Sequence, residues 1–529
     1  MWHTDSALAV QIPVESPGRV CAGNRARGDR ADCGRGLDCG IGQLITGGIM
    51  RYSTIILSLS LCVTAVAQSP GTFALTGSMS TARAGHTATL LTNGKVLVAG
   101  GYQYQGSMPI EQLKSAEIYD PSVGVFTPAG DMSARRSRHT ATLLPDGRVL
   151  IAGGGSADVY DPATGTFTRA GEMNTGGMTA ALLNSGKVLL AGGARGDQSG
   201  CSNNAELYDP ATNTFQLTGN MTSGRCTPRA TLLADGRVLV VPGDEGDDPG
   251  IADIYDPNTG SFRPADWQNI DNMIAATSSL LVNGSVLVSL AEQECDSLST
   301  QAAVYDSASG FRTTGNMASG ICRPTGTLLS DGTVLIAGGW FAGTVAQVYD
   351  PASGSFSPVG NLTTYRQEYA ATLLNDGTVL MTGGTYPTGN PLDLSGYGFA
   401  TSDTAELYHP GSVRSAPALL SLAASGQGAV LHAGTSRVVS ASDPASVGEA
   451  IEIYLTGLSE GGVIPPQVSI GGRLAQVLFF GDAPVYPGLN QVNVLVPAGV
   501  ASGGTVPVWW NYMGRPSNAV TIGVQASGK

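Results

Sequence analysis

The chain has 529 residues, 73 of them glycine, with only 13% charged residues and a formal net charge of −13. That much glycine with so little charge suits a β-rich protein of many tight turns and excludes a Glu/Lys/Leu-rich helical one. The acidic balance excludes nucleic acid and anionic membrane as expected partners.

Residues 1–49 are rich in Gly, Arg and Cys, and their five Arg and five acids add nothing to the net charge. Met50-Arg51-Tyr52 is followed by an apolar run, Ile55 to Val66, and by Ala65-Val66-Ala67. A basic start, a short apolar core and a small-x-small site read as a secretory leader over 50–67, cleaved near Ala67. The run is too short to span a bilayer as a helix. Met50 is then the expected true start, with 1–49 as upstream sequence, and the protein is expected to be secreted, periplasmic or on the cell surface.

From Thr87 one unit recurs seven times. It opens with an apolar strand ending in Leu-Leu, as in TATLL at 87–91 and AATLL at 370–374. An Asn-Gly, Asp-Gly or Ser-Gly turn folds the next strand back antiparallel, as in KVLVAGG at 95–101. A third strand ends in Tyr-Asp-Pro or a close variant, from AEIYDP at 116–121 to AELYHP at 405–410. A Phe-centred fourth strand follows in every unit but the last, and the stretch GTFALTGSM at 71–79 is a fourth strand with no unit before it. The N-terminal segment is therefore expected to supply the outer strand of the last unit. Four-stranded meanders that cannot bury both faces alone are expected to stack radially into a closed ring.

Two features carry a family resemblance. The second strand closes on a double glycine (Gly100-Gly101, Gly153-Gly154, Gly192-Gly193, Gly338-Gly339, Gly383-Gly384), and Tyr and Phe recur seven residues apart (119/126, 160/167, 208/215, 255/262, 349/356). The pattern resembles the kelch repeat of the galactose oxidase/kelch-like superfamily. It implies an all-β fold, a seven-bladed β-propeller over 68–410 closed by an N-terminal strand.

Beyond about Ala416 the repeat stops and alternating strands continue, from EIYLTGL (452–458) to SNAVTIGVQ (517–525). Period-two alternation between Gly/Pro turns reads as a β-sandwich. The run from QVSIGG to SNAVTIGVQ resembles an immunoglobulin-like (IPT/TIG-type) domain of acidobacterial secreted proteins, over 411–529 with its linker. Trp509 and Trp510 are adjacent, so one faces the core and the other a contact.

Past the leader the chain holds four cysteines, 201, 226, 295 and 322. Their places in neighbouring units predict the disulfides Cys201–Cys226 and Cys295–Cys322. The segments leading into the first strands carry Arg83, Arg136, Arg225 and Arg366 at one repeat position, with Arg138 and Arg323 two residues further on in theirs. Tyr102, Trp340 and Tyr365 lie in nearby loops. These residues are expected to form an Arg- and aromatic-bearing face for a glycan or extracellular protein ligand of anionic character. No catalytic residue, metal or cofactor is assigned, and a monomer is expected. The expected function is a secreted, non-catalytic binding protein; the alternative is an exported carbohydrate-active enzyme, an oxidase or a lyase. Galactose-oxidase-like copper radical chemistry needs two His, two Tyr and a Cys linked to one Tyr. Past the leader the only histidines are His86, His139, His409 and His432, and the cysteines are committed to pairs.

Overall fold

The computed structural model describes residues 71–106, 108–193, 200–243, 252–265, 273–292, 299–340, 343–388, 398–414, 416–422, 426–458 and 462–526. The leader, the upstream segment and Cys295 lie outside the described residues. Among the described residues every regular element is a strand, and no helix is long and apolar enough to cross a membrane.

Seven four-stranded antiparallel sheets share one strand order. Their first strands are Thr87–Leu90, Thr140–Leu143, Thr179–Leu182, Arg229–Leu232, Met273–Leu280, Thr325–Leu328 and Ala370–Leu373. Each contacts the first strands before and after it, and the last contacts the first, so the sheets close into a propeller-like ring. The hairpin glycines between first and second strands have φ from +80° to +92°, which only glycine adopts without strain. Second strands such as Val96–Ala99 are buried at every position, being flanked by strands in their own sheet and covered on both faces by neighbouring sheets. The apolar clusters accordingly straddle adjacent sheets: Leu97 and Ala99 of the first pack with Val149 and Ile151 of the second.

The ring is closed as the repeat count requires. Thr72–Leu75 forms the outer strand of the seventh sheet, in register from Thr72↔His409 to Leu75↔Glu406. Phe73 meets Tyr408 at a centroid distance of 4.9 Å, within the 4.7–5.0 Å range of the Tyr–Phe pairs that join third and fourth strands in the six other sheets. One of those, Tyr305–Phe311, has a spacing of six and so escapes a search for spacing seven.

The C-terminal strands form a five- and a six-stranded sheet around one apolar core that includes the fully buried Trp510. Trp509 is also buried, and its indole donates to the Pro145 carbonyl in a hairpin turn of the second sheet (3.1 Å). Ser469 donates to the same carbonyl (2.5 Å), and Arg515 reaches the Asn375 carbonyl in the seventh (2.6 Å). The contact face of the adjacent tryptophans is thus the protein's own ring. The central channel, a cavity of about 450 Å³, is lined by first-strand residues and bounded by Gln467, Asn511, Met513 and Gly514 of the C-terminal sheets. The channel end at the hairpin turns is therefore covered, and the opposite end opens into a separate cavity.

Candidate functional site at the channel mouth

Three positions in the segment leading into most first strands, Arg83, Gly85 and His86 in the first sheet, have three different fates. The first holds Arg83, Arg136, Arg225 and Arg366. All four are buried, at 0–3% exposure. Arg83 pairs with Glu117 (2.8 Å), Arg225 with Asp253 (2.8 Å), Arg366 with Glu406 (2.5 Å) and Arg136 with Asp158. Each acid sits on the third strand of the same sheet. Arg83 also donates to the Gly100 and Ser115 carbonyls, both at 2.9 Å, and Arg366 to those of Gly383 (2.8 Å) and Thr404 (2.9 Å). Burial is the main cause that lowers the Arg83 and Arg136 pKa values, opposed by their carboxylate partners. The backbone carbonyls of these arginines accept from the double glycine of the preceding sheet: Gly101 N–H to Arg136 at 2.9 Å, Gly384 N–H to Arg83 at 2.9 Å. A Cβ on Gly383 would lie 2.2 Å from the Arg83 oxygen, which is why glycine stands there. These four arginines are clasps inside the sheets, and the expected ring of ligand-facing Arg is corrected on that ground.

The third position wedges a side chain toward the preceding sheet. His86 Nε2 meets Thr382 Oγ1 (2.8 Å), His139 Nε2 meets Thr87 Oγ1 (3.0 Å), and the Tyr369 hydroxyl donates to the Ala337 carbonyl (2.7 Å). Burial, aided by nearby Arg charge, pulls His86 far below the usual imidazole range and His139 down to about 3. Both are neutral packing groups.

The middle position faces the mouth. It holds Gly85, Arg138, Gly177, Thr227, Arg323 and Glu368, all of which line a cavity of about 280 Å³ except Gly177, whose neighbour Met178 does. Five share a left-handed backbone: Gly85 and Gly177 at φ +59°, Arg138 at +49°, Arg323 at +51° and Glu368 at +53°. This conformation lets the loops bond one another around the mouth, Gly85 N–H to the Glu368 carbonyl (2.8 Å) and Arg138 N–H to the Gly85 carbonyl (2.7 Å). Glycine adopts it freely; a charged side chain there costs of order 1 kcal/mol. The strain recurs at three positions of one opening.

Those side chains make a polar cluster. Arg138 grips Glu368 with Nη2 (2.7 Å) and Nε (3.3 Å), and the Tyr102 hydroxyl donates to the same carboxylate. Burial, and next the Glu368 charge, push the Tyr102 phenol well above its usual range, so it stays a proton donor. Arg323 stacks over Trp340 at 4.6 Å. Tyr365 packs its ring by Gly343, with its hydroxyl toward Gln367 (3.5 Å). Arg229, on the same lining, donates to the Ala275 carbonyl (3.0 Å). Of the expected site residues, Arg138 and Arg323 line the mouth, Tyr102 and Trp340 contact that lining, and Tyr365 is not among the lining residues. Glu368 and Arg229 were missed. Glu368 was legible, because it occupies the same repeat position as Arg138 and Arg323. The expected bond Cys201–Cys226 is present, and Cys322 is disulfide-bonded.

No protein-family model matches the chain, and no curated protein matches it. Among solved structures, it is similar to one described as a novel fungal alcohol oxidase with catalytic diversity among the AA5 family, in complex with copper. The TM-score is 0.53 at 18% identity, over 87% of this chain and 99% of that one. The likeness is one of fold. The expectation of a non-catalytic binder is corrected by this finding: a solved structure that shares the fold is that of an enzyme.

The donor set here does not fit a copper radical centre. Among the described residues no three His, Cys, Asp or Glu side chains gather as metal ligands. His86 and His139 are spent on threonines, and Cys201, Cys226 and Cys322 are in disulfides. The C-terminal hairpin that covers the channel presents Asn511 and Met513 there. His432 of that domain is held by Glu449 and by the Asp443 carbonyl (3.2 Å).

Proposed function

We propose that the chain is an exported carbohydrate-active enzyme that cleaves a uronate-bearing glycan by elimination at the channel mouth. On this reading it leaves the cell through the leader at 50–67. Residues 68–410 form a seven-bladed kelch-type propeller, and the 411–529 domain is an immunoglobulin-like module that seals its far end. The observation that carries the chemistry is Glu368, held by Arg138 and Tyr102 and standing with Arg138 and Arg323 in a backbone conformation that glycine would adopt without cost. Strain retained at one opening on three charged residues is the mark of a site selected for its side chains.

The residue types favour elimination over hydrolysis. Glycoside hydrolysis uses two carboxyl groups flanking the bond; Glu368 is the one carboxylate among the described lining residues, beside three guanidinium groups. Elimination instead needs cations around a substrate carboxylate, so that the carbon bearing it can release its proton, and one group to carry that proton. In this reading Arg323 and Arg229 receive the substrate carboxylate. Glu368 takes the proton from the adjacent carbon. The neighbouring carbon–oxygen bond breaks as the carbon–carbon double bond forms, and Glu368 returns the proton to the leaving oxygen. The carboxylate is regenerated and no water or oxidant is consumed. Tyr102 and Arg138 position Glu368 throughout.

The test is ultraviolet absorbance of the unsaturated product on polygalacturonate, alginate and glucuronan. Wild type should act on at least one, and Glu368→Gln should lose about 10²–10⁴ in rate. A Gln variant with wild-type rate, or a wild type inert on all three, overturns the reading.

A further inference from the structure

The loops after the double glycines of the first and seventh sheets build a structure of their own. Tyr102–Gly106 and Met108–Gln112 form one hairpin, Thr385–Thr388 and Gly398–Thr401 another, and the two pair into an eighth four-stranded sheet at the rim. The seam is Phe399↔Gly106 and Ala400↔Gln105, reinforced by Tyr104 N–H donating to Thr401 Oγ1 (2.6 Å). This sheet bridges the closure point of the ring, and aromatic rings run along one of its faces. Tyr102 meets Tyr104 edge-on at 5.1 Å, and Tyr104 meets Phe399 at 5.9 Å. The series begins at Glu368, to which Tyr102 donates, and leads away from the mouth. Tyr102 is buried, whereas Tyr104 and Phe399 are half-buried and keep part of their surface in solvent.

We infer that this rim sheet is a binding rail for an extended glycan, on which sugar rings beyond the cleaved bond rest against Tyr104 and Phe399. Sugars present patches of C–H to flat aromatic surfaces, and such surfaces with a few placed polar groups are the usual lining of ligand sites. The inference rests on the proposed function and names its substrate class: a polymer or long oligomer. A disaccharide would fill the mouth cavity of about 280 Å³ and leave the rail unused. A chain of several residues would cover both.

Calorimetric titration on the full chain tests this with oligogalacturonates and oligomannuronates of two and six residues, in a Glu368→Gln background to prevent turnover. The hexamer of at least one series should bind more tightly than its dimer. Tyr104→Ala and Phe399→Ala should each weaken the hexamer by up to roughly tenfold and leave the dimer unchanged. Tyr104→Phe, which keeps the ring, should bind as the parent does. Three results overturn the rail: neither hexamer binding better than its dimer, dimer and hexamer weakening together, or Tyr104→Phe losing as much as Tyr104→Ala. If the rail variants keep hexamer affinity while Glu368→Gln abolishes turnover in the native background, the rail fails and the catalytic reading stands. If hexamer binding depends on Tyr104 but the native protein turns over nothing, the catalytic reading fails alone.

Discussion

The buried arginines invite a test that the protein's own repeats supply. Arg366 and Glu406 are both at 0% exposure and bond at 2.5 Å. Glu406 also accepts from the Thr363 amide (2.7 Å) and hydroxyl (2.8 Å), so it fixes the crossing loop as well as the guanidinium. The sixth sheet solves the same problem without charge. There Ile321 stands at the Arg position, fully buried, and Gln347 at the acid position, accepting from the Ala318 amide (2.7 Å) and donating to the Ser319 carbonyl (3.0 Å). Arg366→Ile strands a buried carboxylate and frees the Gly383 and Thr404 carbonyls, so it should cost about 3–5 kcal/mol. Glu406→Gln strands the guanidinium and should cost a similar amount. The double variant imports the sixth sheet's arrangement and should lie within about 2 kcal/mol of wild type, giving a coupling of several kcal/mol. Urea unfolding followed by tryptophan fluorescence measures all four proteins. Additive losses in the double variant, or a single-variant loss below about 1 kcal/mol, would refute the clasp.

Closure of the ring predicts that deleting residues 71–79 lowers the melting temperature of the whole protein, and that Phe73→Ala alone costs about 2 kcal/mol through its lost contact with Tyr408; an unchanged melting temperature for the deletion would contradict the pairing. His139, held down to about 3 when folded against a usual value near 6.5, stabilises the protein fully above about pH 6.5. That contribution should fall by up to about 1.4 kcal/mol per pH unit as pH drops from 6.5 toward 3, so His139→Gln should show a shallower acid dependence than wild type. Parallel stability curves for the two proteins would exclude this origin. Breaking the 25-residue loop closed by Cys201–Cys226, with Cys201→Ser/Cys226→Ser, should cost about 3 kcal/mol, read by calorimetry under non-reducing conditions.

Much of the fold was written plainly in the chain. The Leu-Leu strands, their Gly turns and the orphan Phe strand at 71–79 fix the sheets and the closure, because each is a local signal repeated at constant order. The arginines show where such reading goes astray. A charged residue in a loop suggests solvent, yet the correction was in the same repeats. Arg at 83, 136, 225 and 366 comes with Glu or Asp at 117, 158, 253 and 406, and Ile321 comes with Gln347. The third repeat has Glu206 without an arginine, and Thr175 bonds it instead through its hydroxyl (2.7 Å). Such covariation marks a buried pair, since neither partner tolerates burial alone. The rim sheet was not legible. Its four strands are short, lie in connections that differ from repeat to repeat, and pair across nearly 300 residues of chain, so no local period announces them.

The same four-residue segment explains how a repeat protein can carry a site without risking its ring. Its first position is tied to the third strand of its own sheet, and its third is wedged toward the preceding sheet; both are fixed by packing. The middle position ties neighbouring loops through backbone bonds, with the Arg138–Glu368 ion pair added in this chain, and its side chain varies from glycine to Arg and Glu. The proposed chemistry then sits where the ring fixes the backbone and leaves the side chain to vary. Arg323→Gly separates the two demands. It should relieve about 1 kcal/mol of backbone strain and forfeit about 0.5–1 kcal/mol of stacking on Trp340. The melting temperature should therefore stay within a few degrees of wild type while turnover of the uronate polymer collapses. A variant that unfolds would show that Arg323 belongs to the scaffold, and one that retains turnover would remove it from the site.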